Sequence, residues 1–301
     1  MQIAVMKSAL LIALTLVACS ALAGDSLSWT FAPEANLTFT LNSFSESWKG
    51  KEAGSIIWVA NASVLATKKL GHNLQSDNSL KLAFGQTKTQ NKDTKKWSAP
   101  WNSTDFFDLQ SMLKLKMGTK GNDLFVSAKM LSQFYDNRDP LNIRLANPST
   151  LTATFGLSKD LLKQPSLQWS MRAGAALRSN IDRDTLHFEL IEGIKNYTGH
   201  HGTSVINDAG TELVSEYKMK RADWMTLSGK LTLYEAIMRP LAPQTSDWRY
   251  PDLSFEQKVS INVTKYLIIN YLLQLYYDRE LHPDPRYRQT LSAGFTLLSS
   301  K

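Results

Sequence analysis

The chain has 301 residues, 43% of them hydrophobic and 20% charged, with a formal net charge of +7, one cysteine and a mean hydropathy of −0.25. That value is far too polar for a bundle of membrane helices, and one cysteine excludes a disulfide framework. The basic residues are scattered rather than gathered in a block, which argues against nucleic acid as a partner.

Residues 1–23 hold one charge, Lys7, then an apolar run from Ser8 to Ala18, and close on Ala21-Leu22-Ala23 before Gly24. The small residues Ala21 and Ala23 fit a secretory signal peptide cut between Ala23 and Gly24. The run is shorter than the roughly 20 residues a membrane helix needs. Leu16-Val17-Ala18-Cys19 offers a second reading, since it resembles the box after which bacterial lipoproteins are cut and acylated. Residues 24–33 read as a short periplasmic segment. Residues 34–301 read as one domain, because no linker or change of composition divides them.

From residue 34 the hydrophobic period becomes two. The first segment (34–45) groups Leu37, Phe39 and Leu41, and the second (54–68) Ile56, Trp58, Ala60, Ala62 and Val64. The third (72–90) sets Leu80, Leu82 and Phe84 against Asp77, Ser79 and Lys81. The fourth (103–118) sets Phe107, Leu109, Leu113 and Leu115 against Asp108, Lys114 and Lys116. In the fifth (122–136), Leu124, Val126 and Met130 oppose Lys129, and the sixth (148–159) groups Leu151, Phe155 and Leu157. The seventh (165–179) sets Leu167, Trp169, Met171 and Leu177 against Arg172 and Arg178. In the eighth (209–219), Leu213 and Tyr217 oppose Glu212 and Glu216; in the ninth (222–236), Leu227, Leu231 and Leu233 oppose Lys230. The tenth (251–264) sets Phe255, Val259 and Ile261 against Glu256 and Lys258. The eleventh (266–278) groups Leu267, Ile269, Leu273 and Leu275, and in the twelfth (286–298) Leu291 and Phe295 oppose Arg288.

Soluble strands average about 5–6 residues, whereas most of these segments run to roughly 12–16, long enough to cross a bilayer at a tilt. Short connections alternate with mostly longer ones. The pattern is that of an all-β, up-and-down transmembrane barrel of about twelve antiparallel strands in the bacterial outer membrane, with both termini in the periplasm. Energetics choose the inner face. A Lys or Arg facing lipid costs roughly 2–4 kcal/mol at the midplane, so several together would exceed a typical domain stability of about 5–15 kcal/mol. The expected lumen lining is therefore Lys81, Lys114, Lys116, Lys129, Arg172, Arg178, Glu212, Glu216, Lys230, Glu256, Lys258 and Arg288. A soluble β-sandwich would share the alternation, but explains neither the strand length nor the rhythm of the connections.

The segment Phe44-Ser45-Glu46-Ser47-Trp48-Lys49-Gly50-Lys51-Glu52-Ala53-Gly54-Ser55 precedes a long strand, and a second long strand runs from Lys265-Tyr266-Leu267 to Tyr277-Asp278. With these features the chain resembles an uncharacterised family of bacterial outer-membrane β-barrel proteins. It departs from that pattern at Gly50 and Gly54, which are not adjacent, and at the C-terminus, where Phe295 is not the last residue. The resemblance implies fold and location and supplies no activity.

Three functions fit such a barrel. A small-solute pore needs a polar lumen, and a slight excess of lumen cations favours anions weakly. A lipid- or lipopolysaccharide-modifying enzyme would draw on His187, Glu189, Glu192, His200, His201 and Ser204 in the 180–208 connection, where nothing in the spacing brings them together. A plugged structural or binding barrel would use its loops, on which Trp97, Trp101 and Trp248 are candidate anchors. Residues 185–197 fit either a short amphipathic helix or extensions of the flanking strands. No cofactor or metal is expected. The expected partners are outer-membrane lipids and lipopolysaccharide, the barrel-assembly machinery and a small solute.

Overall fold

The computed structural model describes residues 29–42, 53–118, 122–136, 144–191, 194–239, 247–280 and 282–298, without the side chains of 184–191, 194–201 and 295–298. The signal-peptide region, the cut site Ala23/Gly24, Cys19 and Trp48 lie outside the described residues. The strands are β1 (Thr30–Asn42), β2 (Ser55–Lys69), β3 (Leu74–Thr89), β4 (Trp101–Met117), β5 (Asn122–Ser132), β6 (Tyr135–Asp136) and β7 (Arg144–Leu145). They continue as β8 (Ser149–Lys163), β9 (Leu167–Ile191), β10 (Ile194–Ala222), β11 (Met225–Met238), β12 (Asp252–Asn262), β13 (Leu267–Tyr277) and β14 (Arg286–Leu298).

All but β6 and β7 close into one antiparallel barrel, in which each strand pairs with its neighbours in sequence and β1 pairs with β14. The shortest barrel strands have 11 residues. At about 3.3 Å per residue and a tilt near 40°, that is about 28 Å of height, a hydrocarbon thickness. The period-two pattern places its apolar members outside: Phe39 is 61% exposed, Leu177 63% and Leu291 75%. An apolar surface of that extent, closed into a ring with no sheet edge, is stable only in lipid, and the protein is an outer-membrane β-barrel. Trp224, Tyr266 and Tyr287 are exposed at the two rims, where amphipathic rings bridge tails and headgroups.

One polar residue on the lipid face has an internal partner. Gln257 lies in register with Gly229, and Gly229 with Tyr217. The Tyr217 ring lies flat across Gly229, and its hydroxyl donates to Gln257 Oε1. A Cβ on Gly229 would meet the ring, with Cζ 2.8 Å away.

Four features depart from the sequence reading. Strand β1 begins at Thr30, inside the segment read as periplasmic; Pro33 lacks an N–H but its residue still pairs with Val64. The fifth segment stops at Ser132, and Tyr135–Asp136 forms its own ladder with Arg144–Leu145. The 180–208 connection, whose residues 185–197 fit either a helix or strand extensions, takes the strand form: β9 and β10 pair from Ile191↔Ile194 down to Leu167↔Met219. Trp248 is only 8% exposed and packs inward with Ala176, Tyr234 and Ala236.

Candidate functional site

The functional surface is the lumen, and side chains that meet across non-neighbouring strands define it. Lys81 on β3 reaches Glu256 on β12 at 4.0 Å, with β13, β14, β1 and β2 between them by the shorter way round. Arg288 on β14 donates to Thr104 on β4 at 3.2 Å, across β1, β2 and β3. Thr154 on β8 donates to Glu212 on β10 at 2.8 Å. Such contacts exist only inside the ring.

The remaining expected lining residues fall on the same inner face. Glu216 sits between Arg172, at 3.5 Å, and Lys230, at 2.8 Å. Lys114 pairs with Asp77 and Lys129 with Asp108, each at 3.5 Å. Lys116 follows Lys114 by two residues and Lys258 follows Glu256 by two, so strand alternation turns both inward. Lys81, Glu256, Glu216, Arg172, Lys230, Asp108 and Lys129 form a belt of mixed charge at mid-height, with Asp77, Lys114 and Lys116 nearer the periplasmic rim. The belt itself borders a cavity of ≈ 540 Å³, which extends toward the β8–β9 turn past Ser63, Gln110, Lys163, Gln168 and Lys218.

A second cluster closes part of the mouth away from the termini. Asp208, with no side-chain exposure, accepts from Arg178 at 3.2 Å, from Arg239 at 3.2 Å and from the Tyr234 hydroxyl. Arg178 also reaches Asp252 on β12, and its guanidinium stacks 4.0 Å from the Tyr234 ring. Arg239 forks onto Glu280, with Nη2 2.7 Å from Oε2, while its guanidinium lies 5.6 Å from the Trp248 ring. The described end of the connection before β12 thus packs against the lumen wall, where a three-residue 3-10 turn, Asp247–Arg249, carries Trp248. Trp248 is therefore a wall-packing residue and not an exposed anchor; Trp97 and Trp101 are 40% and 52% exposed. Sequence reasoning missed Asp208, Asp252, Arg239 and Glu280 as a unit. Asp208 and Arg239 sit in segments read as loops, and only the closed ring brings them together.

The residues proposed for catalysis lie on the β9–β10 hairpin, apart from Glu192, which lies outside the described residues. The backbone register sets His201 opposite Leu186, Glu189 opposite Asn196 and Ser204 opposite Asp182. Among the described residues no group of three His, Cys, Asp or Glu is placed to hold a metal ion.

No protein-family model matches the chain, and no curated protein matches its sequence. Several solved structures are similar in fold. An outer-membrane channel from Pseudomonas putida F1 is 12% identical with a TM-score of 0.42, covering 91% of this chain and 96% of its own. The translocator domain of the autotransporter NalP from Neisseria meningitidis is 11% identical with a TM-score of 0.34, covering 97% and 96%. The NanC porin is 11% identical with a TM-score of 0.36, covering 90% and 99%. The chemistry of this lumen is read from its own residues.

Proposed function

We propose that this barrel, a member of the uncharacterised outer-membrane group it resembles, is a passive channel for small hydrophilic solutes, with anions favoured over cations. The observation that carries the reading is the mid-height belt of charge that lines the lumen cavity. Charged side chains that meet across a lumen leave a path whose walls replace part of a solute's hydration. Four lumen carboxylates are compensated, Glu216 by two cations, Asp77 and Asp108 by one each and Glu256 by Lys81, while Glu212 accepts from the Thr154 hydroxyl. Among the described residues no carboxylate lies within ion-pair distance of Lys258, and Arg288 donates to a threonine. Lys116 likewise meets no carboxylate among the described residues, and Glu212 and exposed Glu34 are the counterweights, so the cationic excess is slight.

Planar-bilayer recording of the refolded protein tests this. Discrete current steps are expected, with a reversal potential in a KCl gradient displaced toward chloride. A barrel that inserts and stays silent, or one selective for potassium, refutes the proposal.

A further inference from the structure

We propose that the outer wall of β2, β3 and β4, at the end opposite the termini, is a docking surface for the phosphorylated headgroup of an outer-leaflet glycolipid, lipopolysaccharide. Depth comes first. At the inner rim, Lys68 Nζ lies 5.7 Å from the Trp29 ring. Ten residues up the same face of β2 is Trp58; at about 3.3 Å per residue and a tilt near 40° the rise is about 25 Å, the height of a barrel's apolar band. Trp58 therefore marks the outer interface.

An aromatic patch surrounds it. Phe84 lies 5.7 Å from Trp58, 6.2 Å from Phe134 and 6.1 Å from Tyr135, and Phe107 is 6.1 Å from Phe134. The backbone N–H groups of Phe134 and Tyr135 both donate to the Asp105 carboxylate, at 2.5 and 3.0 Å, which pins that segment to β4. Lys88 is in register with Ile56, on the face that carries Trp58 and Phe84. It stands about 5 Å above Trp58 by the same arithmetic, level with headgroup phosphates rather than with tails.

Above Lys88 the β3–β4 turn is fixed by its own hydrogen bonds. Asn91 Oδ1 accepts from the N–H groups of Asp93 and Thr94, at 2.9 and 2.8 Å. Asn91 N–H donates to Lys96 O at 2.8 Å, and the Gln90 side chain donates to Lys95 O at 2.8 Å. Trp97 pairs back onto Gln90, and its ring stands over Gly54. This ordered turn presents Lys92, Lys95 and Lys96, and among the described residues no carboxylate forms an ion pair with any of them or with Lys88. Asp93 is the one acid in the turn's sequence. Four uncompensated amines over an aromatic floor complement a phosphate-bearing sugar whose acyl chains lie on the rings.

The test uses the refolded full-length barrel in detergent, with native mass spectrometry and a titration of bisphosphorylated lipid A against its dephosphorylated form. The phosphorylated lipid is expected to remain bound, and K88Q/K92Q/K95Q/K96Q to weaken it at least tenfold, while K220Q/K265Q at the opposite rim leaves it unchanged. Heat-modifiable gel mobility verifies that each variant is folded. Equal binding of the dephosphorylated lipid, or an unchanged affinity in the quadruple variant, overturns the proposal. Full displacement by millimolar inorganic phosphate also overturns it, assigning the lysines to a soluble anion.

Discussion

Replacing Gly229 by alanine should test whether one ring keeps a lipid-facing amide satisfied. The nearest atoms to a new Cβ all belong to Tyr217, so the ring must lift and its hydroxyl must leave Gln257. Gln257 lies five residues above Asn262, the periplasmic end of an 11-residue strand, near the middle of the bilayer, where no water can replace the lost donor. The hydrogen bond is worth about 1 kcal/mol net, and the stranded amide adds about 1–3 kcal/mol. G229A should therefore cost about 2–4 kcal/mol, read from urea unfolding in phospholipid vesicles by tryptophan fluorescence. In a Y217A background the same change meets open space and should cost less than about 1 kcal/mol, because alanine is no worse a strand residue than glycine. Q257L should recover most of the loss in G229A. Additive effects of G229A and Y217A, or no rescue by Q257L, would refute the reasoning.

Further outcomes follow from the lumen. E216Q leaves Arg172 and Lys230 without their shared carboxylate; the barrel should lose about 2–4 kcal/mol of stability, and the reversal potential should move further toward chloride. D208A removes the common acceptor of Arg178, Arg239 and Tyr234. A loss of about 3–5 kcal/mol is expected, with noisier single-channel currents. W248A should raise conductance by thinning the inward-folded connection, and an unchanged conductance would place the constriction at the Lys81–Glu256 level instead. In the native membrane, cysteine at Ser170 should react with an aqueous maleimide and cysteine at Leu177 should not; the reverse pattern would turn the barrel inside out.

The strands were legible because a closed ring in lipid imposes one rule everywhere, apolar out and polar in, and each strand obeys it locally. The seventh segment shows this best: Leu167 to Leu177 alternates so cleanly that only its far end was misjudged. There, past Ile181, no described strand pairs with the outer edge of β9, and without a membrane face to satisfy the alternation lapses. Strand β1 reaches back to Thr30 although Pro33 lacks an N–H, because on a barrel strand a proline costs only one ladder donor. Charge suggests which strand face turns inward, but it does not give the pairings. Lys81 and Glu256 stand 175 positions apart in the chain, and nothing local links them. Trp248 illustrates the opposite failure: an aromatic in a polar connection reads as exposed, and only the arginine above it, held by Asp208 and Glu280, explains its burial.

The β9–β10 hairpin outruns its neighbours. Pairing to β8 ends at Ile181 and pairing to β11 at Ala209, leaving a ribbon that runs about 33 Å further to Ile191 at about 3.3 Å per residue. Beyond Arg183, which Asn147 and Arg144 hold by hydrogen bonds, no described strand pairs with either flank of the ribbon, and it rises on the side that faces the surroundings of the cell. Antibodies and adsorbing phage would meet this ribbon before any other described part of the chain, so it is a natural place to graft an epitope tag for surface display.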